Sequence, residues 1–404
     1  MPGRTLGPLN CLFAARALRD FGDSFVAILL PAYLLALGFT PLGVGVLATV
    51  SLSGSACLTI GAGLLGVRYG YRRLLPIAAG LMVASGLAFA ASRDYAVLLV
   101  IAFAGTINPS AGNVSVFVPL EHAALAQEAG DQDRTRMFAR YSLAGALAAA
   151  IGALVAGAPE LMAPLGFDRL SAMRGMFLLY ALLGVAGRLL YARLPQRAAP
   201  ANTAPSASLG PSRSIVIRLA ALFSLDAFAG GFVVQSLLAL WLFQRFHLSL
   251  AAAGLFFFCT SLLAALSYPV AARLSQGFGL VNTMVFTHIP SSVALILAAL
   301  APTLGLALAL LLVRAALSQM DVPTRSSYVM AVVTEAERPA AASFTSVPRS
   351  LASAASPAMA GALFAASAFA WPLLICGFLK IVYDVLLLAQ FRHLKPSEER
   401  RLGV

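Results

Sequence analysis

A chain of 404 residues that is 60% hydrophobic and only 11% charged departs from an ordinary soluble domain, in which about 25% of residues are charged. Its net charge of +12 suits anionic headgroups at a bilayer surface, and the aromatic-interleaved basic patches of a nucleic-acid binder are absent. Composition therefore excludes a soluble domain and points to an all-α protein of the lipid bilayer.

About twelve apolar stretches, each near the roughly 20 residues a helix needs to cross the hydrocarbon core, are predicted. They lie over residues 10–37, 41–66, 74–92, 96–124, 137–158, 174–193, 215–243, 250–272, 283–302, 304–333, 340–365 and 369–392. The first carries Arg16, Arg19, Asp20 and Asp23 and has no small-residue cleavage site behind a short apolar core, so it reads as a retained helix and not a signal peptide. Arg16 and Asp20, and likewise Arg19 and Asp23, stand four residues apart and share a helix face. Asp23 falls about 20 Å along the helix from Asn10, near mid-membrane. Two readings stay open, a self-neutralised pair and a site that takes a proton or cation. An ionised group at that depth costs at least about 2.5–3.5 kcal/mol and needs a partner or a wet cavity.

The fourth span offers Asn108, Pro109, Ser110 and Asn113, then Glu121-His122, read as an interfacial pair or a proton relay. In the fifth, Ala144, Ala148, Gly152 and Ala156 form a small-residue stripe suited to close helix packing. Residues 195–214, rich in Pro, Ala and Ser, read as a flexible linker. The seventh span holds Asp226, with no basic residue within a turn. The tenth holds Arg314, Gln319, Asp321, Pro323 and Arg325, and Pro323 predicts a kink with freed carbonyls. In the eleventh, Arg349 is a candidate for gripping a carboxylate or phosphate through its planar fork. Lys380 and Asp384 in the last span are one turn apart and read as mutually neutralising. Trp241 and Trp371, near span ends, suit an interfacial aromatic belt. The four Cys and four His are scattered, without metal-ligand spacing, and no phosphate-cradling loop marks an ATP-driven pump.

With both termini cytoplasmic, fifteen Arg and Lys fall on the inside and four on the outside, a strong orientation signal. The halves also repeat. Leu34-Leu35-Ala36-Leu37 recurs as Leu237-Leu238-Ala239-Leu240, Asp23 falls on Asp226, Gly70 on Gly279 and Pro109 on Pro323. Six spans per half give two bundles in the same orientation, related by a pseudo-two-fold axis along the membrane normal. The expected domains are an N-terminal six-helix bundle at 1–194, a cytoplasmic linker at 195–214 and a C-terminal six-helix bundle at 215–404.

Gly63-Leu-Leu-Gly-Val67-Arg68-Tyr-Gly70-Tyr-Arg72-Arg73 resembles the signature between helices two and three of the major facilitator superfamily, usually Gly-x-x-x-Asp-Arg-x-Gly-Arg-Arg. Val67 replaces the Asp that in the family helps hold the outward-facing state closed inside, so the lock is expected from Asp133 or Glu337 against a nearby Arg. The Gly-Pro pair that marks many drug/proton antiporters in helix five is missing from Gly145–Pro159.

The resemblance implies a twelve-helix secondary transporter working by alternating access, with a small-molecule substrate and no cofactor. It implies no enzymatic activity, a monomer in the lipid bilayer, and the inner membrane if bacterial. Proton coupling and export are expected. Asp226 is the favoured proton carrier, followed by Asp23, Asp20 and Asp321. Arg19, Asn108, Asn113, Gln319, Arg325 and Arg349 are candidates for the substrate pathway, and Gly63, Arg68, Gly70, Arg72 and Arg73 for the gate. The alternatives are a uniporter or exchanger for a small anionic solute that uses the embedded Arg residues, and, more remotely, a receptor or scaffold.

Overall fold

The computed structural model describes residues 7–111, 115–128, 134–194, 209–334, 337–367 and 369–394. Among them every regular element is helical: α1 (Pro8–Ala36), α2 (Pro41–Tyr69), α3 (Tyr71–Ala91), α4 (Tyr95–Ala104), α5 (Phe117–Glu128), α6 (Arg134–Val155), α7 (Ala158–Met162), α8 (Arg169–Ala192), α9 (Arg213–Gly231), α10 (Gln235–Phe246), α11 (Leu250–Phe278), α12 (Leu280–Leu300), α13 (Leu304–Ser318), α14 (Asp321–Val332), α15 (Arg338–Ala355), α16 (Pro357–Ala366) and α17 (Trp371–Phe391). Eight of the helices are long and apolar enough to cross a membrane, and α4 and α13 are shorter apolar helices.

The first predicted span is the continuous helix α1, whose four charged residues keep it out of that count, and four of the predicted spans are interrupted. The fourth breaks between α4 and α5 around Asn108-Pro109, where Ala111 takes a φ of 51°. The tenth breaks at Gln319-Met320, one turn earlier than predicted, so that Pro323 lies in the first turn of α14, where its missing N–H costs nothing. Two breaks had no prediction. The seventh span stops at Gly231 and restarts at Gln235, and the eleventh stops at Ala355 and restarts at Pro357. These last two breaks meet. A Cβ on Gly231 would lie 2.1 Å from Ser356 Oγ, and that hydroxyl donates to Phe228 O at 2.6 Å. Only glycine admits so close an approach.

The chain forms two compact units. The first takes residues up to 201 together with Gln235–Phe258; the second takes 202–234 and 259–404. Compactness thus assigns α10 and the start of α11 to the first unit, although they follow the 195–214 segment, of which 195–208 lies outside the described residues. In the first unit α6 packs closely on α1, with Gly152 of the small-residue stripe against the backbone of Phe21 and Gly145 against Arg16 and Asp20. Ser236 N, at the start of α10, donates to Pro109 O at 3.1 Å, a carbonyl in the break of the fourth span. Glu160 accepts from Leu250 N at 2.7 Å and Ala251 N at 2.9 Å, satisfying open N–H groups at the start of α11. Trp241 is 1% exposed and packs on Phe246, so it is a core residue and not the belt residue predicted; Trp371 is 49% exposed.

Gly70 (φ 75°, ψ 147°) and Gly279 (φ 83°, ψ 162°), matched in the repeat, occupy the same turn between the second and third helices of their halves. That region of φ/ψ is essentially restricted to glycine, and another residue costs about 1–3 kcal/mol there. Gly70→Val and Gly279→Val are therefore expected to lower thermal stability by similar amounts; a drop confined to Gly70→Val in thermal unfolding would contradict the shared backbone role.

Candidate functional site

Each unit buries a charged cluster, and both are built around the carboxylate at the repeat-matched position, Asp23 or Asp226. In the first unit, α1 supplies Arg16, Arg19, Asp20 and Asp23. Arg16 pairs with Asp20 at 2.6 Å, as the four-residue spacing predicts. Arg19, 2% exposed, pairs with Glu121 of α5 at 2.9 Å and Asp20 at 3.2 Å, and approaches Asp23 only to 3.9 Å. Its guanidinium lies over the Phe117 ring.

Glu121 is fully buried. It accepts hydrogen bonds from the hydroxyls of Tyr141 on α6 and Tyr191 on α8. The neighbouring His122 is exposed, with its ring edge-on to Phe138 and Tyr141. Asp23 is the loosest carboxylate of the group. Its short contact is to an uncharged donor, the Tyr180 hydroxyl of α8 at 3.0 Å, which also meets Thr106. Among the described residues two guanidiniums, Arg16 and Arg19, thus face three carboxylates, Asp20, Asp23 and Glu121.

In the second unit Asp226 of α9 is tightly held. Lys380 of α17 pairs with it at 2.6 Å and Arg325 of α14 at 3.2 Å, and His288 Nε2 of α12 lies 3.8 Å away. The expectation of an Asp226 without a basic neighbour fails, because the partners come from other helices. The predicted Lys380–Asp384 pair is likewise replaced: Lys380 turns to Asp226, and Asp384 meets His288 Nδ1 at 2.9 Å. Arg325 also pairs with Asp321 at 2.5 Å. Lys380 Nζ lies 3.3 Å from His288 Nε2, so the ring stands between Lys380 on one nitrogen and Asp384 on the other.

The two clusters place the same relation on different chemistry. Tyr180 of α8 and Lys380 of α17 both reach the matched carboxylate from the last long helix of their halves, one as a neutral phenol and the other as an ammonium.

The other predicted residues are dispersed. Asn108 is buried and accepts from Ser110 N; Asn113 lies outside the described residues. Gln319 sits in the break between α13 and α14. Arg349 is exposed on α15, within electrostatic reach of Arg325, Asp226 and Asp321 of the second cluster. Gly63 and Arg73 are exposed, Arg72 donates to Tyr71 OH at 2.9 Å, and the Arg68 side chain and Asp133 lie outside what is described. Among the described residues Glu337 does not pair with an Arg as expected. It accepts from Thr334 Oγ1 at 2.6 Å, Ser212 Oγ at 2.7 Å and Gly210 N at 2.6 Å, and these hydrogen bonds, Thr334's first, hold its carboxyl at about 2. The depressed value means that its anchoring of residues 210–212 is complete above the ordinary carboxyl range and lost as pH falls through about 2. Glu337→Gln is expected to speed hydrogen exchange at the Gly210 and Ser212 amides at neutral pH; unchanged protection would show that the carboxylate anchors nothing. Sequence reading missed Tyr141, Tyr180, Tyr191 and His288 as cluster members.

The family model of the Major Facilitator Superfamily matches residues 12–234 and again 220–403. The chain belongs to the major facilitator superfamily. Its membership makes it a multi-pass membrane transporter and not an enzyme. An uncharacterised membrane protein of Saccharomyces cerevisiae, YJR124C, is 24% identical over 95% of this chain and 94% of its own length. The fold is shared with a bacterial homologue of the human lysosomal transporter Spinster in an inward-facing, unoccupied state (TM-score 0.71, 14% identity, 95% of each chain). It is also shared with the nucleoside transporter NupG (TM-score 0.72, 15% identity, 96% of this chain and 100% of that one). This major facilitator keeps the family's doubled sequence while carrying Val67 in its signature motif.

Proposed function

We infer that this major facilitator is a secondary active transporter that moves a small solute through the cytoplasmic membrane by alternating access and couples that movement to protons at Asp23. One observation carries the reading. The cluster of the first unit holds one more carboxylate than cations, and the carboxylate farthest from a cation is Asp23, bonded by a phenol. A proton there makes the buried group electrically neutral, and its loss restores an uncompensated charge that the bilayer penalises. Binding and release of that proton therefore change which arrangement of the helices is favoured, which is what coupling requires.

The proposal is tested in liposomes that contain the protein and trap a pH-sensitive dye, challenged with the solutes that raise the melting temperature of the purified protein. A ligand at 100 times its dissociation constant stabilises by about 2.7 kcal/mol, enough to be seen. Such a solute should move the dye signal when it crosses. A stabilising solute that crosses freely without proton movement overturns the coupling.

Orientation has its own check. A cysteine placed in 195–214 should be labelled by an impermeant reagent from the cytoplasmic side, and one in 159–173 from outside. The opposite pattern would invert the topology drawn from the distribution of Arg and Lys.

A further inference from the structure

We propose that the polar face of α15, centred on Arg349, is the part of the solute path that grips substrate, and that it takes a carboxylate or phosphate group. The inference rests on the transporter reading above and adds the substrate class. α15 presents two exposed faces of opposite character. Phe344, Val347 and Leu351 are 55%, 36% and 48% exposed and form an apolar side suited to lipid tails. Ser343, Ser346 and Arg349 are exposed on the other side, with Ser350 and Ser353 beside them partly covered.

Hydrocarbon does not tolerate that second side. Arg349 lies about 16 Å along the helix from Arg338, and a guanidinium at such depth needs an anionic partner or water. Among the described residues it has neither an ion pair nor a hydrogen bond. The charged groups in electrostatic reach of it, Arg325, Asp226 and Asp321, are already paired: Arg325 holds both carboxylates, and Lys380 also holds Asp226. The hydroxyls of Ser346, Ser350 and Ser353 donate to carbonyls of their own helix, so the charged donor on this face is the Arg349 fork. A planar fork of parallel N–H groups fits a carboxylate or phosphate in two-point contact. An anionic solute would supply the charge that Arg349 lacks, and a lipid headgroup phosphate offers the same chemistry.

The test uses the full chain in nanodiscs of zwitterionic lipid, with Cys57→Ser and Cys259→Ser removing the thiols that are not buried and Ser346→Cys introduced one turn from Arg349. Reactivity is compared between an anionic and a cationic methanethiosulfonate of similar size. A positive charge about 6 Å away in water favours the anionic reagent over the cationic one by about tenfold. That preference is expected at Ser346→Cys, and Leu351→Cys on the lipid side should not react. Inorganic phosphate at millimolar concentration should slow the anionic reagent in the Arg349 protein. Arg349→Lys should keep the charge preference and lose most of that protection.

No reaction at Ser346→Cys would show that the face is not wet. Equal rates for the two reagents, or phosphate protection that survives Arg349→Lys, would remove Arg349 as the anion ligand. If protection appears only when phosphatidylglycerol is added to the nanodiscs and not with free phosphate, the occupant is a lipid headgroup and the solute assignment falls. None of these readouts requires a proton gradient, so they stand or fall apart from Asp23.

Discussion

Asp23→Asn is expected to abolish solute accumulation driven by a pH gradient while leaving the protein folded. Asparagine has nearly the shape of the protonated carboxyl and keeps an oxygen to accept the Tyr180 hydroxyl, now 3.0 Å from Asp23. No cation is stranded, because Arg19 retains Glu121 at 2.9 Å and Asp20 at 3.2 Å after losing a contact that was only 3.9 Å long. The stability loss should therefore fall well below the ~3–5 kcal/mol that breaking a close buried pair costs. Exchange of solute across equal pH on the two sides should persist, since it does not require the proton to leave. Tyr180→Phe should shift the pH dependence without removing coupling. Asp20→Asn is the control with the opposite balance: it takes from Arg16 its 2.6 Å partner and should harm expression more than Asp23→Asn does. An Asp23→Asn protein that still concentrates solute under a proton gradient would move the proton elsewhere in the cluster, Glu121 first.

That order of effects could not be read from the sequence. Within one helix, spacing reveals partners, and the Arg16–Asp20 pair follows from four residues of separation. The spacing also suggested that Arg19 depends on Asp23. It depends instead on Glu121, 102 residues away, and Asp226 meets Lys380 154 residues away. No local pattern reports such pairs, so Asp226 looked unpartnered and Glu121 was grouped with His122 as an interfacial pair or a relay. His288 was passed over as one of four scattered histidines for the same reason, its partner Asp384 being 96 residues distant.

The fold was more legible, because its causes are local. Apolar length marked the spans, and the Gly70 and Gly279 turns appeared as a repeat match that the shared positive φ explains. Proline marked the interrupted fourth and tenth spans, though in the tenth it sits inside the new helix and the break precedes it. The breaks at Gly231 and Ser356 lack such a signal. Glycine pairs and serines are ordinary in membrane helices, and only the contact between these two breaks shows why both helices stop there.

Asp226→Ala is expected to be the most damaging single substitution in the second unit. It removes the carboxylate shared by Lys380 at 2.6 Å and Arg325 at 3.2 Å, and breaking a buried pair from one side costs about 3–5 kcal/mol. Arg325 keeps Asp321; among the described residues Lys380 keeps a 3.3 Å approach to His288. The stranded ammonium is thus the main cost, and removing it should repair the damage. Asp226→Asn combined with Lys380→Met should recover folded protein in a size-exclusion profile where either change alone reduces it, a coupling that a double-mutant cycle measures directly. Lys380→Met combined with Asp384→Leu makes the opposing case, since it would compensate if the two residues one turn apart neutralised each other. With Asp384 held by His288, that combination should be worse than Lys380→Met alone, because it also takes from the imidazole its closest carboxylate. Rescue by Asp384→Leu, and none by Asp226→Asn, would return the pairing to the single helix and release Asp226 as a candidate proton carrier.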